Sequence, residues 1–539
     1  MAENISKSLY QALWNSADIM RSKMFANDYK SYLLGLTFYK YLSDKLLIHA
    51  AALLEENTTD LEVAQKVYAE AYEDEDVKGD LLNELQYDFS YTLEPNLTFT
   101  ALVQDIHKGK FQLDNLKQAF RNIEQSSEIF ENLFEDIDLY SKKLGATPQK
   151  QNQMIADVMK ELSTLDLTGH DGDVLGDAYE YLIGQFASDS GQKAGEFYTP
   201  QPVSTLMTKI ILHGKENQKG FSVYDPTMGS GSLLLNVKKF SNEPGTISYY
   251  GQELNTSTYN LARMNMILHG VDTANQHLNN ADTLDQDWPT DEPTNFDGVL
   301  MNPPYSAKWN ADKGFLDDPR FSPYGVLAPK SKADFAFLLH GLYHLKDSGV
   351  MTIVLPHGVL FRGGNEGKIR KILLYNGFID TVIGLPANIF FNTSIPTAVI
   401  ILKKNRSKKD VLFIDASREF EKGKNQNLLK DEHINKMLET YIKRPDEGVE
   451  KYAYLATFDE ITQNDYNLNI PRYVDTFEVE EEVSLIELAA EMKKIQKEFH
   501  QAERNLLSML EELEGNTEDA SKELKCLMNV FELGGTNNE

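Results

Sequence analysis

The chain has 539 residues, of which 41% are hydrophobic and 25% are charged, a composition typical of a globular protein with about two or three domains. The single cysteine, Cys526, excludes an internal disulfide and a cysteine-based zinc or iron–sulfur site. The formal net charge of −29 opposes binding of nucleic acid by this chain alone, so a nucleic-acid substrate would require help from a partner.

The amino terminus bears on where the protein acts. The first residues lack the basic-then-apolar pattern of a signal peptide, and the sequence contains no apolar run of the roughly 18 residues that a membrane span requires. We therefore expect a cytoplasmic protein that does not enter a membrane.

Residues 1–170 are predicted to form a helical domain. Apolar residues recur at spacings of three and four, first in the segment 9–21 and again in 28–47, as they do on one face of a helix. Glycine and proline, which interrupt helices, are scarce in this part of the chain.

Residues 171–476 are predicted to form an α/β domain. Short β-rich runs alternate there with helical patterns, which indicates a doubly wound, mostly parallel sheet. The pattern predicts strands at 221–225, 247–253, 296–301, 350–356, 380–386, 397–404 and 411–416. Only six residues separate the last two strands, too few for a parallel crossover, so we expect these strands to form an antiparallel hairpin at one edge of the sheet.

Residues 477–539 are predicted to form a helical tail. Its apolar side chains alternate spacings of three and four, the pattern of a coiled-coil seam: Leu485, Leu488, Met492, Ile495, Phe499, Ala502, Leu506, Met509 and Leu513. Such a seam requires a partner helix, which lies either on the chain's own helical domain or on another subunit.

A glycine-rich turn follows the first predicted strand, in the segment 225–232 (DPTMGSGS). A strand, a glycine turn and a helix together present backbone N–H groups that a ligand can approach closely. Glu253 ends the second strand, where an acid can accept from ribose hydroxyls, and Asp282 follows another strand end, where it can accept from an adenine amino group. The set predicts an adenosine-containing ligand; a connecting turn with solvated acids is the alternative.

The segment Asn302–Tyr305 (NPPY) follows the fourth predicted strand, at the expected switch point of the sheet. An exocyclic amine is a poor nucleophile until acceptors take its hydrogens, because its lone pair is delocalised. The side-chain oxygen of Asn302 and the backbone carbonyl of Pro303 are two such acceptors, held by the rigid backbone of two prolines. Tyr305 offers a flat face for stacking. A rigid turn is the alternative, but turn chemistry alone does not explain this set of residues.

These motifs resemble a known family. The glycine turn followed by NPPY is similar to S-adenosylmethionine-dependent amino-methyltransferases, in the motif order of the gamma class of DNA N6-adenine methyltransferases. Three further segments narrow the resemblance: 173–187 (DVLGDAYEYLIGQFA), 195–200 (GEFYTP) and 251–254 (GQEL). With the helical front domain and the coiled-coil tail, the chain resembles the modification subunit of a type I restriction–modification system. The resemblance implies a seven-stranded methyltransferase sheet with one antiparallel edge strand.

The resemblance also implies S-adenosyl-L-methionine as cofactor and assigns roles to residues. The methionine side of the cofactor would contact Glu196, Phe197, Tyr198, Thr199, Pro200 and Gln201. The turn beneath its methionyl and ribose portions would consist of Asp225, Gly229, Ser230 and Gly231, while Glu253 would bind the ribose and Asp282 would face the adenine. The target adenine would be held by Asn302, Pro303, Pro304 and Tyr305. Without the family, the segment 195–200 is explained equally well as a helix N-terminus capped by Thr199.

The implied reaction is direct in-line transfer of a methyl group to N6 of adenine in double-stranded DNA, with the base flipped against Tyr305. It uses no catalytic cysteine, and Cys526 lies in the tail, which argues against cytosine C5 methylation.

Three different functions would share some of these features. A protein-glutamine N5 methyltransferase would also use NPPY but does not explain the front domain or the heptad tail. A fused restriction enzyme would need nuclease residues in the same chain, and no convincing nuclease motif is evident in the sequence. A non-catalytic scaffold would keep the helical domains, yet it has no reason to carry NPPY together with Glu253 and the glycine turn.

The partners follow from charge and from the resemblance. We expect a separate specificity subunit that recognises the DNA, with two copies of this chain per specificity subunit, and a restriction subunit. For one basic group, contact with DNA phosphates near the flipped base and an ordinary solvated loop are both open interpretations: Lys308, Lys313, Arg320, Lys330 and Lys332. For a second group a solvated loop is the favoured interpretation: Lys403, Lys404, Arg406, Lys408 and Lys409. We expect no bound metal.

Overall fold

The computed structural model describes residues 2–21, 23–167, 172–189, 199–390, 393–423, 426–476, 484–514 and 516–534. The chain divides into two compact units, Met1–Thr476 and Phe477–Glu539. The first unit contains a helical region followed by an α/β region, and the second contains helices. None of the described helices is long and apolar enough to cross a membrane.

The helical region consists of α1 (Ala2–Arg21), α2 (Ala26–Leu53), α3 (Leu61–Glu73), α4 (Glu75–Phe89), α5 (Phe99–His107), α6 (Leu113–Glu124), α7 (Pro148–Leu162) and α8 (Gly172–Asp189). Helix α6 shows why these segments are helical, since its buried residues Leu113, Leu116, Phe120 and Ile123 follow spacings of three and four. These side chains join the core of the region. The predicted helical character is confirmed.

The α/β region is built on the strands β1 (Ser222–Asp225), β2 (Ser248–Glu253), β3 (Gln276–Asn280), β4 (Phe296–Met301), β5 (Leu345–Pro356), β6 (Ile379–Gly384), β7 (Thr397–Leu402), β8 (Val411–Asp415), β9 (Glu421–Lys422), β10 (Asn427–Leu428) and β11 (Ala453–Ala456). Among the described residues, nine of them form one sheet in the order β11-β8-β6-β7-β5-β4-β1-β2-β3. Neighbours are parallel except that β7 runs against β5 and β6, and β11 against β8. A mostly parallel, doubly wound sheet is therefore confirmed.

The predicted hairpin at the sheet edge is wrong. Strand β7 lies inside the sheet between β5 and β6, and β8 pairs in parallel with β6 instead of with β7. The short connection requires only that β7 and β8 run in opposite directions; it does not require that they be neighbours. The chain leaves β7 at the amino edge of the parallel strands and passes over β6 to begin β8.

The sheet has nine strands where seven were expected, because β3 and β11 were not predicted. Strand β3 lies at one edge and its residues are partly exposed and mostly polar, so it has no apolar run to reveal it. Strand β11 is a short strand at the opposite edge. Edge strands bury less surface than central strands and so carry a weaker hydrophobic pattern.

Helices cover both faces of the sheet: α9 (Gln201–Leu212), α10 (Ser232–Phe240), α11 (Thr256–Leu268), α12 (Asp334–Tyr343), α13 (Gly364–Tyr375), α14 (Asp431–Lys443) and α15 (Phe458–Gln463). Successive residues of β4 point to opposite faces, as the pleat requires. Val299 and Met301 join the core that contains α12, whereas Leu300 joins the core that contains α9 and α10. Helix α11 also packs into the core of the helical region, which ties the two regions together.

The second unit contains α16 (Leu485–Glu511) and α17 (Glu518–Gly534), which contact each other. The side chain of Ser484 caps α16 by accepting from the N–H of Glu487. Within this unit the seam residues of α16 are exposed; Leu485 is 77%, Phe499 60% and Met509 67% exposed. This unit thus displays an apolar helix face that its described residues do not cover.

Candidate functional site

The glycine turn connects β1 to α10 at the carboxyl edge of the sheet. Gly229 and Gly231 have φ angles of 55° and 79°, a left-handed conformation that glycine adopts without steric cost. Gly231 is the N-cap of α10. Because glycine has no side chain, this residue does not cap the first N–H groups of the helix. The hydroxyls of Ser230 and Ser232 lie 3.0 Å apart beside these groups. The turn provides backbone donors at a helix N-terminus.

Glu253 ends β2 beside this turn. Its Oε2 accepts from the N–H of Gly229 over 3.1 Å, and its Oε1 accepts from the N–H of Asn255 over 2.8 Å. Burial raises the pKa of its carboxyl, while the backbone donors oppose that shift. A carboxylate has about four lone-pair sites, so these two bonds leave capacity to accept from a pair of vicinal hydroxyls.

Asp225, at the end of β1, shapes the turn from inside. It is 1% exposed, and its Oδ1 accepts from the backbone N–H and the hydroxyl of Thr227 over 2.9 and 3.2 Å. Burial, with a smaller contribution from Glu253, raises its pKa to about 8. In this structure Asp225 therefore positions the backbone that would contact a ligand.

Asp282 lies just after β3, the edge strand that neighbours β2. Its Oδ1 accepts from the N–H of Leu284 over 2.9 Å, and the residue is partly exposed. The neighbouring Thr283 donates its hydroxyl hydrogen to the carbonyl of Pro226. The loop that carries Asp282 is thereby fixed to the glycine turn.

Asn302 follows β4, and its amide is held from two sides. The amide nitrogen donates to the Thr199 hydroxyl over 3.1 Å, and the amide oxygen accepts from the Tyr305 hydroxyl over 2.9 Å. Asn302 is buried, as is Thr199. The segment 195–200 and NPPY, 103 residues apart at this contact, therefore meet at one side chain.

Thr199 does not cap a helix. The alternative explanation of the segment 195–200, a helix N-terminus capped by Thr199, is therefore wrong. Helix α9 begins at Gln201, and its N-cap is Pro200. The hydroxyl of Thr199 instead accepts from Asn302. This contact fixes which end of the Asn302 amide faces Tyr305, and no local sequence signal indicates it.

Tyr305 packs its ring edge-to-face against Phe390, with ring centroids 6.1 Å apart and planes at 80°. Burial raises the pKa of its hydroxyl well above the usual value, and the nearby carboxylate of Asp334 adds to this. The hydroxyl therefore stays protonated and acts as a donor. Sequence reasoning did not identify Phe390, which sits in an apolar run after β6.

Gln201 is held by a residue that sequence reasoning missed. Its amide nitrogen donates to Oε2 of Glu180 on α8 over 2.7 Å. Glu180 is 3% exposed, and burial raises its pKa to about 7, although Lys239 at 3.9 Å opposes the shift. Three of the predicted cofactor residues, Glu196, Phe197 and Tyr198, lie outside the described residues.

The assignment of Arg320 to a DNA-facing basic group is wrong. Arg320 is 2% exposed, pairs with Asp318 over 2.7 Å and donates to the carbonyl of Thr283. Lys308, Lys313 and Lys330 of the same group are exposed. In the second basic group, Lys403 and Arg406 pair with the buried Asp380, and Lys404 donates to backbone carbonyls. A solvated loop therefore does not describe these three residues, whereas Lys408 and Lys409 are exposed.

A cluster of Asp287, His340 and His344 has metal-ligand composition but a different role. Arg320 lies 3.1 Å from Nδ1 of His340, and the Tyr224 hydroxyl lies 2.8 Å from its Nε2. Burial holds the pKa of His340 well below its usual value, so its ring is neutral. Both ring nitrogens are used and a guanidinium adjoins them, which makes the cluster a hydrogen-bonded network of the core.

The sheet order, the glycine turn, the acid after β2 and the NPPY segment after β4 are the features of an amino-methyltransferase. The model of the N-6 DNA Methylase family matches residues 170–482, and the model of the HsdM N-terminal domain matches residues 9–162. The chain belongs to the N-6 DNA methylase family, since the first match alone covers more than half of it.

Curated relatives agree with this assignment. The chain is 36% identical over 498 residues to the type I restriction enzyme MpnII methylase subunit of Mycoplasma pneumoniae, covering 88% of this chain and 90% of the relative. It is 31% identical over 534 residues to the MjaVIII methylase subunit of Methanocaldococcus jannaschii, covering 95% and 86%. A crystal structure of a type I restriction-modification methyltransferase subunit from Streptococcus thermophilus is 71% identical, with a TM-score of 0.86, and covers 88% of this chain and 100% of that one.

The resemblance predicted from the motifs is confirmed, and with it an adenine-specific DNA methyltransferase of the type I modification subunits. Both the front domain and the catalytic domain match, which disfavours a protein-glutamine methyltransferase, since that enzyme has no need of the front domain.

Proposed function

We propose that this chain uses S-adenosyl-L-methionine to methylate N6 of adenine in duplex DNA, as the catalytic subunit of a complex in which another subunit recognises the DNA. The observation that carries the proposal is the fixed orientation of Asn302 between Thr199 and Tyr305. This amide stands at the switch point of the sheet, beside a glycine turn and an acid that suit an adenosine-containing cofactor.

The residues present fit the cofactor. Glu253 retains lone pairs for the ribose hydroxyls, the turn that ends at Gly231 presents the first N–H groups of α10, and Asp282 can accept from the adenine amino group. Thr199, Pro200 and Gln201 are the described residues proposed to contact the methionine portion. When bound, the cofactor supplies an electrophilic methyl group on its sulfonium.

The substrate side acts by orientation and hydrogen bonding. The Asn302 side-chain oxygen and the Pro303 carbonyl are proposed to accept the two N6 hydrogens, which concentrates the lone pair on the nitrogen. Tyr305 is proposed to stack on the flipped base, with Pro304 holding the backbone between them. The exposed Lys308, Lys313 and Lys330 are proposed to meet phosphates near that base.

The partners are proposed from charge and from the second unit. A chain with a net charge of −29 binds DNA weakly, so we propose that a specificity subunit holds the duplex. The exposed seam of α16 is proposed to contact helices of that subunit, with 477–539 serving as the association segment. Two copies of this chain per specificity subunit, and a restriction subunit, complete the proposed assembly, which acts on DNA in the cytoplasm.

Calorimetric titration with S-adenosylmethionine tests the proposal. We expect the wild-type chain to bind and Glu253→Ala to bind about ten- to a hundredfold more weakly, because charged hydrogen bonds are lost. Asp347→Ala is the control and should bind like wild type. Asp347 is an exposed acid near the amino end of β5, whereas the proposed site lies at the carboxyl ends of the parallel strands. If the folded wild type fails to bind, the titration is repeated on the complex with the specificity subunit. Failure there as well contradicts the proposed function.

A further inference from the structure

The residue after NPPY is held in an unfavourable backbone conformation by a buried acid. Ser306 has a φ angle of 53°, a left-handed conformation that is unfavourable for a non-glycine residue. Its N–H donates to Oδ1 of Asp334 over 2.8 Å. Asp334 begins α12 and is fully buried. The direction in which the chain leaves Tyr305 is therefore set by this carboxylate.

The other oxygen of Asp334 is paired with an arginine. Oδ2 accepts from Nη2 of Arg362. The same guanidinium also donates two hydrogen bonds, of 2.6 and 2.7 Å, to the carboxylate of Glu366. Glu366 is 3% exposed. A buried carboxylate is costly unless it is paired, and Arg362 supplies the partner that holds Asp334 where it accepts from Ser306.

Arg362 is in turn fixed through its backbone. The buried Arg370 on α13 donates from Nη1 to the carbonyl of Arg362 over 2.9 Å and to the carbonyl of Val359 over 3.0 Å. Its Nε donates to the carbonyl of Tyr466 over 2.8 Å. A continuous series of charged contacts therefore runs from α13 to Asp334 and on to the NPPY segment.

We propose that Asp334 is a positioning residue for methyl transfer: through the backbone of Ser306 it sets where the Tyr305 ring stands relative to Asn302, and Arg362 holds Asp334 in place. This inference rests on the proposed function. In the described part of the chain, the series of contacts reaches only the substrate side of the site, since Glu253 and the glycine turn make none of its hydrogen bonds. Its loss should impair handling of the target base and leave cofactor affinity intact.

The test uses the chain in complex with its specificity subunit, on a duplex that carries the sequence the complex methylates, with 2-aminopurine as the target base in a parallel sample. We expect Asp334→Asn to lower kcat about ten- to a hundredfold, because misplaced reacting groups are costly. The 2-aminopurine fluorescence increase on base flipping should shrink, while the Kd for S-adenosylmethionine stays within about twofold. Arg362→Lys, which keeps the charge but loses the paired hydrogen bonds, should show a smaller loss of the same kind.

Asp297→Asn is the matched control. Asp297 is buried, as Asp334 is, and lies at the amino end of β4, whereas NPPY follows the carboxyl end of that strand. Asp297 accepts from Ser222 and pairs with Lys346 over 2.8 Å. This variant should lose stability while kcat and the fluorescence signal stay near wild type.

Equal losses of kcat in Asp334→Asn and Asp297→Asn, or a matching loss of cofactor affinity in Asp334→Asn, would overturn the proposal. If Asp334→Asn does not fold, a wild-type kcat in Arg362→Lys overturns it instead. A wild-type complex that does not methylate DNA refutes the proposed function itself.

Discussion

The Tyr305 hydroxyl donates to Oδ1 of Asn302 over 2.9 Å, so the acceptor proposed for the substrate amine already has a partner before substrate arrives. An amide oxygen has two lone pairs, so an entering adenine can place an N6 hydrogen on Oδ1 beside that hydroxyl. The buried amide oxygen thus has a partner both before and after the base arrives.

The hydrogen bond to Asn302 involves only the hydroxyl of Tyr305, so the contributions of the hydroxyl and of the ring to catalysis can be tested separately. Tyr305→Phe should retain kcat within about threefold, since the net contribution of one hydrogen bond between neutral groups is small. Tyr305→Ala removes the stacking face, worth about 1–3 kcal/mol, and should lower kcat/KM about 5- to 150-fold. Steady-state methylation of duplex DNA by the complex measures both. Equal losses in the two variants would instead assign the hydroxyl a role in the reaction.

Asn302→Ala should abolish methyl transfer and leave cofactor binding largely intact, because Asn302 is proposed to act on the substrate amine. Calorimetric titration with S-adenosylmethionine, alongside the methylation assay, checks both halves of this statement. An equal loss of cofactor affinity would contradict the assigned role.

The contact between Thr199 and Asn302 predicts a difference between two small substitutions. Thr199→Val removes the hydroxyl that accepts from the Asn302 amide and leaves that buried donor without it, at a cost of about 1–3 kcal/mol. We expect kcat to fall about tenfold or more. Thr199→Ser keeps the hydroxyl and is the matched control, with kcat near wild type. If both variants lose activity equally, the methyl group of Thr199 matters and the hydroxyl does not.

Glu180 should make stability depend on pH. Burial raises its pKa from 4.5 to about 7, so the folded chain keeps this proton at pH values where the unfolded chain has lost it. Its contribution to the free energy of unfolding therefore falls as pH rises from about 4.5 to about 7, by about 3 kcal/mol in total. Glu180→Gln resembles the neutral form and should remove this part of the dependence. Urea unfolding of both proteins at about pH 5 and about pH 8 measures the difference. Parallel pH dependence in the two proteins would contradict the assignment.

The exposed seam of α16 predicts how the complex assembles. Truncation after residue 476 should weaken binding to the specificity subunit far more than binding of cofactor, because the first compact unit ends there. Phe499→Asp, on the seam, should have the same effect with the chain intact, whereas Lys497→Asp, off the seam, should not. Gel filtration of the mixed subunits reads out both. Unchanged assembly of the truncated chain would place the contact elsewhere.

Much of the catalytic region was predictable because its signals are local. The strand ends, the glycine turn and NPPY are each short segments, and their residue types indicate which hydrogen bonds and stacking contacts they can make. Arg320 shows the limit, since a basic residue in a polar loop reads as a surface group until the fold buries it against Asp318 and Thr283. The edge strand β3 is polar and partly exposed, so it has no apolar run from which a strand could be predicted.

The sequence by itself determined the helical front region, the mostly parallel sheet and the residues at the ends of β1, β2 and β4, because periodicity and turn chemistry act over a few residues. Only the tertiary structure decided that β7 lies between β5 and β6, that Thr199 holds Asn302, and that Asp334 holds Ser306. These contacts join residues far apart in the chain. They depend on strand order and on which helix covers which strand, and the packing of the whole core sets both.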